Sequence, residues 1–177
     1  MINARWLRWA MNCWPPFVGA GVRVRRIAPD FSEVDVEMRL TWYNRNYVRT
    51  HFGGSLYAMT DPFHMIMTMH RLGPGYIVWD KAGSVDYVSP GRDTVRAEFR
   101  INDAQIDDIR RRAADGSRVL PEFAVDVVDP AGKVVARVRK TLYVRLKKSN
   151  GTAPPDDAAD RAPDARELES DKTGAGR

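Results

Sequence analysis

A single cysteine among 177 residues excludes a disulfide framework, and Cys13 has no second thiol near it to complete a metal-ligand spacing. Long apolar runs are also missing. Nothing approaches the roughly 20 residues of a membrane-spanning helix, and Arg5 and Arg8 interrupt the segment where a secretory signal would need an unbroken apolar core. A reducing compartment fits, and the cytoplasm is the expected location. No run of like charge interleaves with aromatics, so a nucleic-acid surface is not expected. No internal repeat is visible, and no motif calls for a metal or a bound cofactor.

What is present suffices for one core. Hydrophobic residues make up 44% of the chain and aromatics 10%, at a length that predicts a single domain. The formal net charge of +5 is unevenly placed: from Lys147 onward there are six basic and seven acidic residues, which leaves 22 basic against 16 acidic in residues 1–146. That balance suits an anionic ligand, although surplus arginine serves equally as a solvated surface. Residues 147–177 carry three prolines, no aromatic and one large aliphatic side chain, Leu168. Such a segment buries too little to offset its ordering entropy, so a disordered tail is predicted, with a transient helix near Ala165–Ser170.

Residues 1–16 read as an N-terminal helix belonging to the domain that occupies 17–146. Trp6, Leu7, Ala10 and Met11 recur at helical spacing, and Pro15-Pro16 stops the pattern. Packing on the protein's own sheet is the expected use of that stripe; a membrane-surface anchor is the alternative. Strands follow. Val22 and Val24 alternate with arginines, and SEVDVEMRLTW puts Val34, Val36, Met38, Leu40 and Trp42 on one face. Later come YIVWDKAGSVDYV, broken near Gly83, then TVRAEFRI, and a closing hairpin of EFAVDVV and KVVARVRKTLYVRL joined at Asp129-Pro130-Ala131-Gly132. Residues 104–114 read as a short helix held by Ile106 and Ile109. The total is an α+β fold: about six strands, mostly antiparallel, against one substantial central helix.

The chemistry concentrates in Asn44–Arg71, which holds all three histidines (His51, His64, His70), Gly53-Gly54 and Asp61. A helix starting at the glycines would offer unpaired N–H groups to a polarised oxygen, the physics of an oxyanion hole. Tyr57, Asp61, His64 and Thr68 would then share one face. Thr60-Asp61-Pro62 is also an N-capping signature, so the helix could instead begin at Asp61. If it begins at Gly54, Pro62 should kink it beside Asp61.

The order of helix, two strands, Asn-containing loop, His-Phe-Gly-Gly, helix and four strands resembles the hot-dog fold of the acyl-CoA thioesterase superfamily. GGSLYAMTD is similar to the superfamily's helix start, and WPPFVGAGVRV with YIVWDKAGSVDYVSPG resembles its poorly characterised thioesterase-like branch, a domain of unknown function. The likeness covers about residues 4–146. It implies a sheet wrapped around a central helix, and hydrolysis of acyl-CoA to free acid and coenzyme A, with coenzyme A as part of the substrate and no other cofactor. Asp61 would act as general base or nucleophile, and the Gly54 and Gly53 N–H groups would hold the oxyanion. Asn46 falls where an asparagine lies near the thioester, and could equally cap a turn. His51 stands one residue further from Gly-Gly than the usual histidine.

Tyr57, Phe63, His64, Pro90 and Arg92 are the candidates for binding substrate, with Met65, Trp42 and Trp79 bounding the acyl pocket and Arg137, Arg139 and Arg145 as further phosphate contacts. The superfamily likeness also implies homodimers or dimers of dimers whose sites mix two chains. Two alternatives stay open: a non-catalytic acyl or acyl-CoA binder, and a hydroxyacyl dehydratase using His51 with Asp61. The substrate carrier could be coenzyme A or acyl carrier protein.

Overall fold

Period-two alternation does in space what it does in sequence. The structure, a computed structural model, describes residues 2–147. Helices α1 (Ala4–Cys13) and α2 (Pro15–Ala20) lead into strands β1 (Val22–Ile27) and β2 (Glu33–Met38). A central pair of helices, α3 (Gly53–Ala58) and α4 (Phe63–Leu72), precedes β3 (Tyr76–Tyr87) and β4 (Val95–Arg100); α5 (Asp103–Arg112) then leads to β5 (Glu122–Val128) and β6 (Val134–Leu146). Val24, Val34, Val36, Val95, Ala97, Val125, Val127 and Val138 all turn inward and are buried. The strands form one antiparallel sheet in the order β1-β2-β4-β5-β6-β3. Against its inner face lie Leu56, Met59, Phe63, Met67 and Leu72 of the central helices. Burying that many large side chains is the principal stabilising term.

Several expectations need correcting. The central helix does start at the glycines, but Pro62 divides it rather than only bending it: the second segment begins at Phe63 with Pro62 at its N-cap and no side-chain cap, so the expected capped start at Asp61 is not formed. Pro15 and Pro16 end α1 and then occupy the first turn of α2, where their fixed φ is suited and no N–H is needed. Strand β2 stops at Met38, leaving Trp42 80% exposed instead of on the inner face. The irregularity in β3 falls between Asp80 and Ala82, not at Gly83. Trp6 is also outside the core: α1 packs through Ala4, Leu7 and Met11, while Trp6 is 57% exposed. The expected tail and its helix near Ala165–Ser170 lie outside the described residues, apart from Lys147, whose N–H donates to the Gly75 carbonyl at 2.8 Å.

The two sheet edges are finished differently. At β1 the Asn12 side chain of α1 accepts from the Val24 N–H at 2.9 Å and donates to the Val24 carbonyl at 3.0 Å. One helix amide therefore occupies backbone groups that an edge strand would leave open. At β3 the described chain places no further strand beyond Tyr76–Tyr87.

Candidate active site

The start of α3 depends on close approach. A Cβ on Gly53 would lie 2.9 Å from the Tyr87 ring, and one on Gly54 would lie 2.5 Å from the Phe52 ring, so neither position has room for a side chain as packed. Ser55 and Leu56 donate their N–H groups back to the Phe52 carbonyl at 3.0 and 3.1 Å. The Gly53 and Gly54 N–H groups, in the first turn, have no acceptor within the helix.

Six residues later the helix breaks, and Asp61 sits in the break. Proline has no N–H to give the Ala58 carbonyl; that carbonyl accepts from Asp61 N instead, at 3.3 Å, while Thr60 N and Thr60 Oγ1 both donate to the Tyr57 carbonyl. Met59 and Pro62 at its two ends both hold right-handed helical backbone, so the tightened turn carries the chain directly into α4. Asp61 is 48% exposed by side chain and accepts a 2.7 Å hydrogen bond from Lys140 Nζ.

Lys140 organises the surroundings. It lies on β6 between Gly83 of β3 and Phe123 of β5, on the inward-facing row, and its side chain is only 3% exposed. Its ammonium also stands 3.3 Å from Asp80 Oδ2 and 5.3 Å from the centre of the Tyr57 ring. Burial opposes the charged form, yet the Asp61 hydrogen bond and the charges of Asp61 and Asp80 hold the lysine above its ordinary pKa. Asp80 is shifted upward: burial is the main cause and outweighs the opposing Lys140 charge and hydrogen bond, with Asp61 adding repulsion. Its Oδ1 is buried without a partner among the described residues. Gly83 makes the slot possible, since a Cβ there would be 2.1 Å from the Tyr57 hydroxyl and 3.2 Å from Lys140 Cδ.

His64, one turn beyond Asp61, is 2% exposed, stacked on Phe123 at 4.9 Å and set edge-on to Phe99 at 5.0 Å. Burial, with the nearby Lys140 charge adding to it, pushes its pKa down to about 4. The ring is therefore neutral near pH 7. Phe63 is fully buried between Phe17 and Phe99 and serves the core.

A second group forms around the preceding loop. His51 is buried, and its Nε2 bonds the Asp93 carbonyl at 2.7 Å; a carbonyl only accepts, so Nε2 carries the proton. Burial lowers its pKa against the pull of Asp93. The Asn46 amide donates to Thr50 Oγ1 and the His51 carbonyl and accepts from Thr50 N, closing the loop on itself. Through the His51 N–H, which donates to the Gly91 carbonyl, this loop is tied to the segment bearing the exposed Pro90 and Arg92.

Thus Asp61, Tyr57 and His64 gather with Lys140 and Asp80, while Asn46, His51, Pro90 and Arg92 gather separately. Lys140 and Asp80 were not among the residues that the sequence singled out. The available signal was a lysine on the inward register of an alternating strand. Arg137 and Arg139 are taken up by Asp126 and Asp86 in ion pairs, and Trp79 stacks on Tyr143 at 4.7 Å.

An antiparallel six-stranded sheet around a central helix, with the helix start at paired glycines, is the hot-dog fold seen in thioesterase-like proteins. A Pseudomonas aeruginosa protein of unknown function, named a probable thioesterase, superposes with a TM-score of 0.74 at 16% identity over 82% of this chain and 97% of that one. A Haemophilus influenzae thioesterase gives 0.62 at 15% identity, covering 85% and 96%. Zebrafish thioesterase superfamily member 2 gives 0.58 at 20% identity, covering 81% and 99%. At such identities the likeness establishes the fold. No curated protein matches the sequence. The family model described as Domain of unknown function (DUF4442) matches residues 3–144, and the chain belongs to that family.

Proposed function

We propose that this protein hydrolyses an acyl thioester, carried by coenzyme A or acyl carrier protein, to a carboxylate and a free thiol. One observation carries the reading: a half-exposed carboxylate, Asp61, held at 2.7 Å by a buried lysine in the break of a helix that starts at Gly53-Gly54. Asp61 takes a proton from water as the water oxygen attacks the thioester carbonyl carbon. The Gly54 N–H, with Gly53, receives the oxyanion. Collapse breaks the C–S bond, and the leaving sulfur takes the proton back from Asp61.

Lys140 gives Asp61 its orientation through the 2.7 Å hydrogen bond. Asn46 and His51 support this chemistry by shaping the loop that precedes the glycines. Tyr57 lines the acyl side, the buried His64 serves the packing between Phe99 and Phe123, and Pro90 and Arg92 face the carrier. The β3 edge, which no other described strand covers, suits pairing with the same strand of a second copy, which would form a homodimer or, paired again, a tetramer.

Free-thiol release on a panel of short, medium, long and aryl acyl-CoA substrates tests the reading. Wild type should turn over at least one class, and Asp61→Asn should lose about 100-fold or more in kcat. Equal inactivity of a folded wild type and the variant on every substrate sinks it. The ion pair itself favours a second reading, a non-catalytic acyl-CoA binder in which Asp61 only neutralises Lys140; binding without turnover would support that. A dehydratase is disfavoured, because His51 is engaged by Asp93 and Asp61 by Lys140.

A further inference from the structure

Helix α1 carries a second apolar stripe on the side away from the sheet. Within the helix Trp6, Trp9 and Cys13 recur at offsets of three and four, so they line one outer face. Trp6 is 57% and Trp9 62% exposed, with their rings 6.2 Å apart. Large indoles in water are costly unless something covers them. The inner stripe already anchors the helix, and Asn12 locks it to β1, so this outer stripe is surplus to folding.

The surroundings indicate the chemistry of the cover. Beside the stripe runs an open groove of about 1150 Å³, in which Arg8, Arg23, Arg25 and Arg39 are opposed by one acid, Glu37. Glu37 stands 3.4 Å from Arg25, which leaves the groove strongly positive. Indole rings favour the water–lipid boundary of a bilayer, and arginines next to them meet anionic headgroups. A second copy is a poor fit: a two-fold contact through this face would set its arginines against their own kind. No helix among the described residues is long and apolar enough to cross a membrane, so attachment would be parallel to the surface.

We infer that α1 and the adjoining arginine groove dock the protein on an anionic lipid surface, with Trp6 and Trp9 inserted at the boundary. This inference is independent of what the protein hydrolyses or binds. The charge contribution is about fivefold in affinity per engaged arginine.

The test is co-sedimentation of the 177-residue chain with phosphatidylcholine vesicles containing about 30% phosphatidylserine, against pure phosphatidylcholine. Expected are binding to the anionic vesicles, weakening at about 0.5 M salt, a blue shift of tryptophan emission, and a loss of about tenfold or more in Trp6→Ala/Trp9→Ala. Arg23→Glu should weaken binding without changing vesicle-free behaviour. Both variants alter exposed positions, and unchanged melting curves confirm that they fold. Absence of binding to anionic vesicles, or binding that the tryptophan variant leaves intact, overturns the inference. So does a smaller species of Trp6→Ala/Trp9→Ala in sedimentation velocity, since the stripe would then be covered by another copy.

Discussion

His64 gives the sharpest test of the packing around Asp61. Its pKa of about 4 in the fold compares with 6.5 for the free side chain, and burial between aromatic rings is the main cause. Above pH 6.5 the ring is neutral whether folded or unfolded, and it contributes no pH dependence. Below that, the unfolded chain takes up a proton that the native site refuses, so stability falls as pH drops from 6.5 toward 4. Linkage sets the loss at about 2 kcal/mol by pH 5 and about 3 kcal/mol by pH 4.

His64→Phe keeps a flat ring between Phe99 and Phe123 and removes the titration. Urea unfolding of wild type and variant in steps from about pH 7.5 to pH 4 should give stability curves that diverge in acid, the variant gaining on wild type by those amounts. His51, also lowered by burial, is common to both proteins and cancels in the difference. Parallel curves through that range would refute the reasoning, because His64 would then titrate alike in both states.

Further outcomes follow from neighbouring contacts. Lys140→Met should cost about 2 kcal/mol at pH 7, by leaving Asp80 and Asp61 to face each other without a cation, and denaturant titration should find the deficit shrinking as acid neutralises Asp80. Because Asp80 is already shifted upward, that recovery should begin above the usual carboxylate range. Gly83→Ala should displace the Tyr57 hydroxyl and cost about 1–3 kcal/mol, read as a lowered melting temperature; an unchanged melt would mean that the slot is not as tight as its 2.1 Å contact implies. Asn12→Ala removes both bonds to Val24 and should cost about 1–2 kcal/mol and raise light scattering on standing, whereas a stable, clear solution would argue against the edge role.

Strands were legible wherever one face alone is buried, because alternation then has a single solution; β1, β4 and the body of β6 are such cases. β2 looked longer than it is. Beyond Met38 the Asn44 side chain accepts from Thr41 N and donates to the Arg39 carbonyl, so a side-chain amide replaces the ladder that Trp42 would have joined. In α1 the period was right but the face was ambiguous, since two apolar stripes share one helix and periodicity does not say which is inside. The centre of the candidate site was half legible. Asp61 and the glycines lie within a few residues of one another, whereas Lys140 is 79 positions from Asp61, and only the fold brings them together.

The Asn12 clasp on β1 has a consequence for growth. A sheet with two bare margins can accept neighbours at each and extend without limit, as fibres do. Here one margin is occupied by the chain's own amide. Recruitment through strands is therefore easier on the β3 side, and if two copies met there, the combined sheet would end at an Asn12 on either flank. A single amide acts as a stop to a process that would otherwise have no natural length.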